Sequence, residues 1–156
     1  MSDAKSKTAV STVGYSGKSL WQKLGLKAQQ RVSLYKAPPQ YWDWCGFDVA
    51  SVALISGKTR TFDFAHLFVT ARSELARELS NSIAAMDANG MLWISWPKKS
   101  SGVVTDISEN TLRELALPLG LVDVKVCAVT DVWSGLKFVW RIERRARPVP
   151  PKRKSR

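Results

Sequence analysis

Four cations, Lys36, Arg72, Lys98 and Lys99, and four aromatic side chains, Tyr41, Trp42, Trp44 and Trp133, are the groups of this 156-residue chain best suited to holding a ligand. They fall in segments 36–44, 70–73, 97–102 and 131–135, whose Pro, Gly, Ser and Asp content marks them as loops. A cation attracts a phosphate or carboxylate, and a flat ring stacks on a base. The combination suits a nucleotide, a single-stranded nucleic acid or an acidic protein surface. Ser100, Ser101 and Ser134 add small hydroxyls beside them. The expected ligand- or partner-binding set is therefore Lys36, Trp42, Trp44, Arg72, Lys98, Lys99 and Trp133. The competing reading is that the tryptophans fill the core and the lysines form a solvated rim.

No catalytic signature accompanies these groups. His66 is the single histidine, and it stands among Phe64, Ala65, Leu67 and Phe68, a setting for a packed side chain rather than a general base. Ser95 and Ser134 lie outside any G-x-S-x-G elbow, and Asp43, Asp106 and Asp131 occupy separate segments. None of the nine glycines lies two residues from another, so a G-x-G turn that cradles a cofactor is missing. After the first expected strand the chain instead has Ala37-Pro38-Pro39, where proline donates no backbone hydrogen bond. Bound S-adenosylmethionine is accordingly not expected, and no cofactor is assigned. Gly57-Lys58-Thr59 imitates the end of a phosphate-binding loop without its earlier glycine. Cys45 and Cys127 lack the Cys/His spacing of a zinc site, so two reduced core thiols and no metal are expected.

Hydrophobic spacing supplies the scaffold for these loops. Ser19 can cap a short helix through Leu24 that Gly25 stops. Residues 31–35 read as a strand, 36–44 as a loop and 52–55 as a short strand. Residues 64–69 are apolar on both faces apart from His66, as in an interior parallel strand. A helix is expected over 73–86, with Leu75, Leu79, Ile83 and Met86 on one stripe and Arg72, Glu74, Arg77 and Glu78 facing water. Asn89-Gly90 should end it, before a second central strand at 91–96, with Trp93 in the core and Pro97 as its stop. Asp106 or Ser108 can cap a further helix through Leu112, Leu115 and Ala116, terminated by Pro118 and Gly120. Segments 122–129 and 136–142 alternate apolar and polar residues, as in a half-exposed antiparallel hairpin. In open α/β sheets ligands bind beyond the strand carboxyl ends, and those ends release the loops named above. The link 56–63 is shorter than the roughly ten to twelve residues of a helical parallel crossover. The strand at 52–55 is thus expected to be antiparallel or joined without a helix.

The net charge of +11 is unevenly placed. Residues 141–156 hold eight Lys/Arg against Glu143, a net +7, while 14–140 carries only +3. Prolines and charge in the last stretch predict a disordered basic tail at 145–156, in which Lys152, Arg153, Lys154 and Arg156 could contact nucleic acid non-specifically through phosphates. Residues 1–14 read as a flexible amino terminus and 15–144 as one domain, a length that buries an adequate core. No stretch approaches the roughly 18 apolar residues of a membrane span, and the first residues lack an apolar signal core. A cytoplasmic location without membrane contact is expected.

The order strand, helix, strand, helix, strand, strand from Phe64 onward resembles the second half of a class I methyltransferase-like Rossmann fold. It implies a single three-layer α/β domain, truncated, with a mostly parallel sheet ending in an antiparallel hairpin. Particular words carry a second resemblance: Tyr15-Ser16-Gly17, Lys23-Leu24-Gly25, Trp96-Pro97-Lys98-Lys99, Ala116-Leu117-Pro118-Leu119-Gly120-Leu121-Val122-Asp123-Val124-Lys125-Val126-Cys127-Ala128-Val129 and Trp133-Ser134-Gly135-Leu136-Lys137. Together they resemble a bacterial family catalogued as a domain of unknown function. That resemblance implies a small bacterial cytoplasmic domain and supplies no catalytic residues. The expected function is a non-catalytic binding or regulatory domain that uses the basic-aromatic edge for an anionic ligand or partner. The alternative is a small enzyme whose site is assembled from strand-end loops.

Overall fold

A computed structural model of the chain describes residues 18–56 and 60–146. Its strands are β1 (Arg31–Tyr35), β2 (Ala53–Leu54), β3 (Phe62–Phe68), β4 (Met86–Pro97), β5 (Leu121–Ala128) and β6 (Trp133–Trp140). They form one sheet of order β2-β1-β3-β4-β6-β5. The helices are α1 (Leu20–Leu24), α2 (Tyr41–Cys45), α3 (Arg72–Ala85), α4 (Glu109–Ala116) and α5 (Ile142–Ala146). Strands β2, β1, β3 and β4 are parallel, and β6 runs antiparallel to both β4 and β5. This is the α/β architecture expected from the sequence, with the hairpin folded back so that β6 pairs with the central strand. Residues 1–14, Gly57-Lys58-Thr59 and the basic tail with Lys152, Arg153, Lys154 and Arg156 lie outside the described residues. Helix α5 carries the described fold to Ala146, past the expected boundary at Arg144.

Alternation along the strands divides the core in two. Phe64 and Phe68 of β3 and Trp93 of β4 pack with Leu24 of α1 and with Tyr41 and Cys45 of α2. Ala65, Leu67, Leu92, Ile94, Trp96, Leu136, Phe138 and Trp140 point the other way, against Leu75 and Leu79 of α3 and Leu112 and Ala116 of α4. At the amino ends of the strands Arg31 clips the sheet. Its Nε and NH2 donate to the two Asp63 oxygens at 3.0 and 2.7 Å, and its backbone N–H donates to Asp63 Oδ2 at 2.8 Å. Those hydrogen bonds hold the Asp63 carboxyl below the usual carboxylate range.

Three expectations need correction. Residues 36–44 are not loop throughout: the Tyr41 N–H donates to Pro38 O at 2.9 Å, Tyr41 and Cys45 bury one turn apart, and Gly46 at φ +69° stops the resulting helix α2. Helix α3 ends at Ala85 instead of Asn89-Gly90, because Met86 is already paired with Phe62. The Asp87 carboxylate then accepts the Asn89 N–H at 2.9 Å, and residues 87–90 bulge before Met91 rejoins opposite Phe64. Strand β2 is parallel to β1, and among the described residues no helix joins it to β3, which agrees with the second of the two expected alternatives. Finally, a register shift between Asp123 and Lys125 breaks the alternation of β5, which leaves Val124 and Val126 more than half exposed on the edge strand. Among the described residues no helix is long and apolar enough to cross a membrane.

Trp93 is fully buried at the centre of the sheet, and its Nε1–H donates to Leu24 O at 2.8 Å. Room for the indole depends on Gly135, where a Cβ would stand 3.0 Å from Val129 Cγ2 and 3.3 Å from Trp93 Cε3. Trp93→Ala should therefore lower stability by about 3–5 kcal/mol in urea unfolding. Trp93→Phe, which retains a ring but leaves the Leu24 carbonyl unpaired, should cost less, about 1–3 kcal/mol. A Trp93→Ala chain with the wild-type midpoint would contradict this placement.

Candidate functional site

The carboxyl ends of β1, β3, β4 and β5 lie on one side of the sheet, and β6 begins there. Their loops are stitched to one another. Lys98 N–H donates to Val132 O at 2.8 Å, Thr105 Oγ1 to Thr70 O at 2.6 Å, and Val69 N–H to Ser95 O at 3.1 Å. Asp106, expected as a possible cap of the helix after it, accepts the Arg72 N–H at 2.7 Å and so serves the start of α3. Ser108 caps α4.

Strand order reverses at β1, with β2 on one side and β3 and β4 on the other, and a doubly wound sheet opens its ligand crevice at such a point. Here the crevice holds a carboxylate of the protein itself. Glu74, in the first turn of α3, accepts Lys36 Nζ and Tyr35 Oη, both at 2.8 Å, and the Thr70 N–H at 3.2 Å. Arg77 reaches the same Tyr35 hydroxyl at 3.2 Å. Glu74 is buried, contrary to the expectation that it faces water. Burial alone would raise its pKa, but the hydrogen bonds from Lys36, Tyr35 and the Thr70 N–H outweigh that and hold it down at about 2. Lys36 makes this contact from a left-handed backbone, φ +54°, where a residue with a Cβ is strained and glycine is the usual occupant.

The other expected site residues are placed differently. Arg72 pairs with Glu114 at 2.9 Å on the surface. Lys98 is half-buried and Lys99 exposed, and neither forms an ion pair among the described residues. Trp42 and Trp44 are half-buried against the α1–α2 core, and Trp133 meets Phe68 edge-on at 5.0 Å. The tryptophans thus pack against the core and keep part of each ring at the surface. Sequence reasoning missed Glu74 and Tyr35, because only the crossing of β1 under α3 brings them to Lys36.

A second polar group lies inside the core. His66 Nδ1 is 2.8 Å from Tyr41 Oη, and its Nε2 is 2.7 Å from Ser95 Oγ. The spacing matches a serine–histidine pair, yet His66 and Ser95 are wholly buried and Tyr41 nearly so. Burial pushes the imidazole down to about 3 and raises the neighbouring Cys45 thiol to about 12. A neutral imidazole and a neutral thiol without solvent access make this a structural network, consistent with the packed histidine expected. Among the described residues no three His, Cys, Asp or Glu side chains are grouped to hold a metal.

The likeness to solved structures is one of fold. A candidate type 11 methyltransferase from Sulfolobus solfataricus superposes with a TM-score of 0.59 at 12% identity, over 85% of this chain and 94% of that one. DhpI, in its complex with SAH, superposes with a TM-score of 0.53 at 11% identity over 78% and 82% of the two chains. LepI in complex with SAM aligns with 78% of this chain, which spans only 39% of that protein, at 18% identity and a TM-score of 0.49. The chain therefore has a methyltransferase-like α/β fold. No family model and no curated protein matches it, so the resemblance to a domain-of-unknown-function family rests on the quoted motifs alone.

Two buried groups, His66 and Glu74, add to the Arg31-bonded Asp63 in making this fold acid-sensitive. The folded-state pKa of His66 lies below its ordinary 6.5, so the unfolded chain binds more protons and stability falls as pH drops from about 6.5 towards 3. Glu74, depressed from 4.5 to about 2, adds a second loss between those values. Urea midpoints measured from pH 7 to pH 2 should show both. Glu74→Gln should reduce only the lower part of the decline, to which Asp63 also contributes, and His66→Gln the upper part; an unaltered profile in either variant would refute that assignment.

Proposed function

We propose that this chain is a binding domain built on the methyltransferase-like fold, taking a small anionic ligand of the nucleotide class at the strand carboxyl ends. The observation that carries the reading is the Lys36–Glu74 contact at the strand-order reversal. A lysine held in a strained backbone conformation already grips a carboxylate there, and a ligand phosphate or carboxylate is the chemical equivalent of that side chain. Arg72, Lys98 and Lys99 add charge at the same end of the sheet, and Trp42, Trp44 and Trp133 offer ring faces. The tail cations Lys152, Arg153, Lys154 and Arg156 would add non-specific phosphate contacts. A cytoplasmic, bacterial setting remains part of this reading.

A second reading, a small enzyme, is supported at the level of fold by the candidate methyltransferase and the DhpI complex with SAH. The residues after β1 do not fit an adenosyl cofactor cradled by a glycine turn. Pro38 and Pro39 have no N–H to offer, the Pro38 carbonyl is engaged by the Tyr41 N–H, and Glu74 brings a negative charge into the crevice.

Calorimetry separates the readings. SAH should show no micromolar binding, whereas AMP should bind and lose at least tenfold in affinity in Lys36→Ala. Micromolar SAH binding would favour the enzyme, and AMP binding unchanged in Lys36→Ala would move the ligand away from the crevice. Lys98→Ala combined with Lys99→Ala should weaken AMP binding while leaving the thermal midpoint nearly unchanged, since neither side chain forms an ion pair among the described residues. A collapse of stability in that variant would make these lysines structural.

A further inference from the structure

A cavity of about 250 Å³ lies on the α3 side of the sheet, between β1 and the flank of α3. Its place follows from the path of the chain. A parallel crossover takes about a dozen residues or more and usually packs a helix of its own on the sheet. Here only residues 55–61 separate β2 from β3, too few for such a helix beside α3. Glu78, Asn81, Ser82 and Ala85, which recur at helical spacing along one flank of α3, therefore line the cavity.

The opposite wall is apolar. Tyr35 of β1, Ile55, Phe62 and Leu67 belong to the α3-side core and face the same space. Three polar groups interrupt this setting. Asn81 Nδ2 is buried and has no hydrogen-bond partner among the described residues. The last torsion of an asparagine is soft, so a small turn brings that N–H to an acceptor in the cavity. The Glu78 side chain is only 13% exposed, and its Oε2 accepts Arg77 Nε at 3.2 Å. Arg60 forms no ion pair among the described residues. Arg60 and Glu78 thus line one cavity with opposite charges and do not pair with each other.

We infer that this cavity is a binding site for a small apolar α-amino acid. A ligand with both signs of charge bridges what the protein leaves apart: its carboxylate meets Arg60 and takes the Asn81 N–H, and its ammonium meets Glu78. Its side chain then lies on Phe62, Leu67 and Ile55. A hydrocarbon would leave the Asn81 donor unpaired, and a simple anion drawn to Arg60 would face Glu78 without compensation. The volume is below the roughly 300 Å³ at which pockets for drug-sized molecules begin, which suits a ligand of this size. Tyr35 borders both this cavity and the Lys36 crevice, but its hydroxyl is held by Glu74 and Arg77. The inference does not rest on the ligand proposed for that crevice.

Calorimetry of the full chain with L-leucine and L-phenylalanine tests it. One of them should bind saturably and raise the thermal midpoint. Its des-amino acid (isocaproate or hydrocinnamate) and its decarboxylated amine (isoamylamine or phenethylamine) should each bind at least about tenfold more weakly, as expected for loss of a charged hydrogen bond. Glu78→Gln should weaken the amino acid by a similar factor without weakening the des-amino acid, a split that a merely structural role would not produce. Asn81→Leu, which replaces the unpaired amide by an apolar side chain of similar shape, should weaken binding with an unfolding midpoint equal to or above that of the wild type. Binding of neither amino acid, equal affinity for the des-amino acid, or unchanged affinity in both variants would overturn the proposal. So would displacement of the amino acid by AMP, which would place it in the Lys36 crevice.

Discussion

The indole of Trp93 must be dry on all sides while its N–H finds an acceptor, and the α1 side of the molecule is organised around that requirement. The acceptor is the Leu24 carbonyl, one of the carbonyls a helix leaves unpaired in its last turn. Gly25, left-handed at φ +86°, stops α1 there and brings the helix end onto Met91, whose Sδ would be 3.2 Å from a Cβ at that position. One strand away His66 does the same for α2 by bonding Tyr41 Oη. Helices of five residues do not persist by themselves, so each of these two depends on a buried polar contact with the sheet. The central strands thereby position both the covering layer and the loop that leads from β1 into α2.

That loop is where this chain differs from a glycine-cradled cofactor site on the same architecture. Lys36 takes the left-handed turn, the two prolines follow, and Glu74 reaches across from α3 to neutralise the lysine. The contact joins the end of β1 to the start of α3 through one buried carboxylate with three donors. It also places an anion of the protein where an open α/β sheet receives one from a ligand. The ligand proposed for this crevice would have to exchange with a group that helps hold the strand ends together.

Charge is distributed along the sheet with a polarity of its own. At the amino ends Arg31 is matched by Asp63 and, at 3.5 Å, by Asp87. On α4, Arg113 pairs with Glu109 and with Asp123 of β5. On the face of the β5–β6 hairpin towards α1, Lys125 and Lys137 stand opposite each other, and among the described residues neither forms an ion pair. The excess of cations in this chain is therefore a local property of one face and one end.

Much of the fold was legible in the sequence. The two-sided apolar runs around Phe64 and Trp93 mark interior parallel strands, Ser19 and Gly25 bracket α1, and Leu112 with Ala116 fixes the buried face of α4, because each pattern reflects burial within a single element. The chain turns at Lys36 and Lys98 were also legible, since prolines, glycines and serines end strands locally, whereas Trp133, read as loop, is the first residue of β6 and pairs with Pro97. What the tertiary structure decided depends on segments far apart in the chain. Glu74 looks like a solvent-facing helical residue until α3 is laid over β1 and meets Lys36, 38 positions earlier. Met86 looks like the end of a helical stripe until Phe62 claims it as a strand partner. Lys125 and Lys137 look like ordinary outward residues of a hairpin until a bulge sets them in register and α1 closes over one side of them. Local spacing records which side of an element is buried; the identity of the group that meets it, and hence whether a charge is paired or left for a ligand, arises only when the sheet order brings distant segments together.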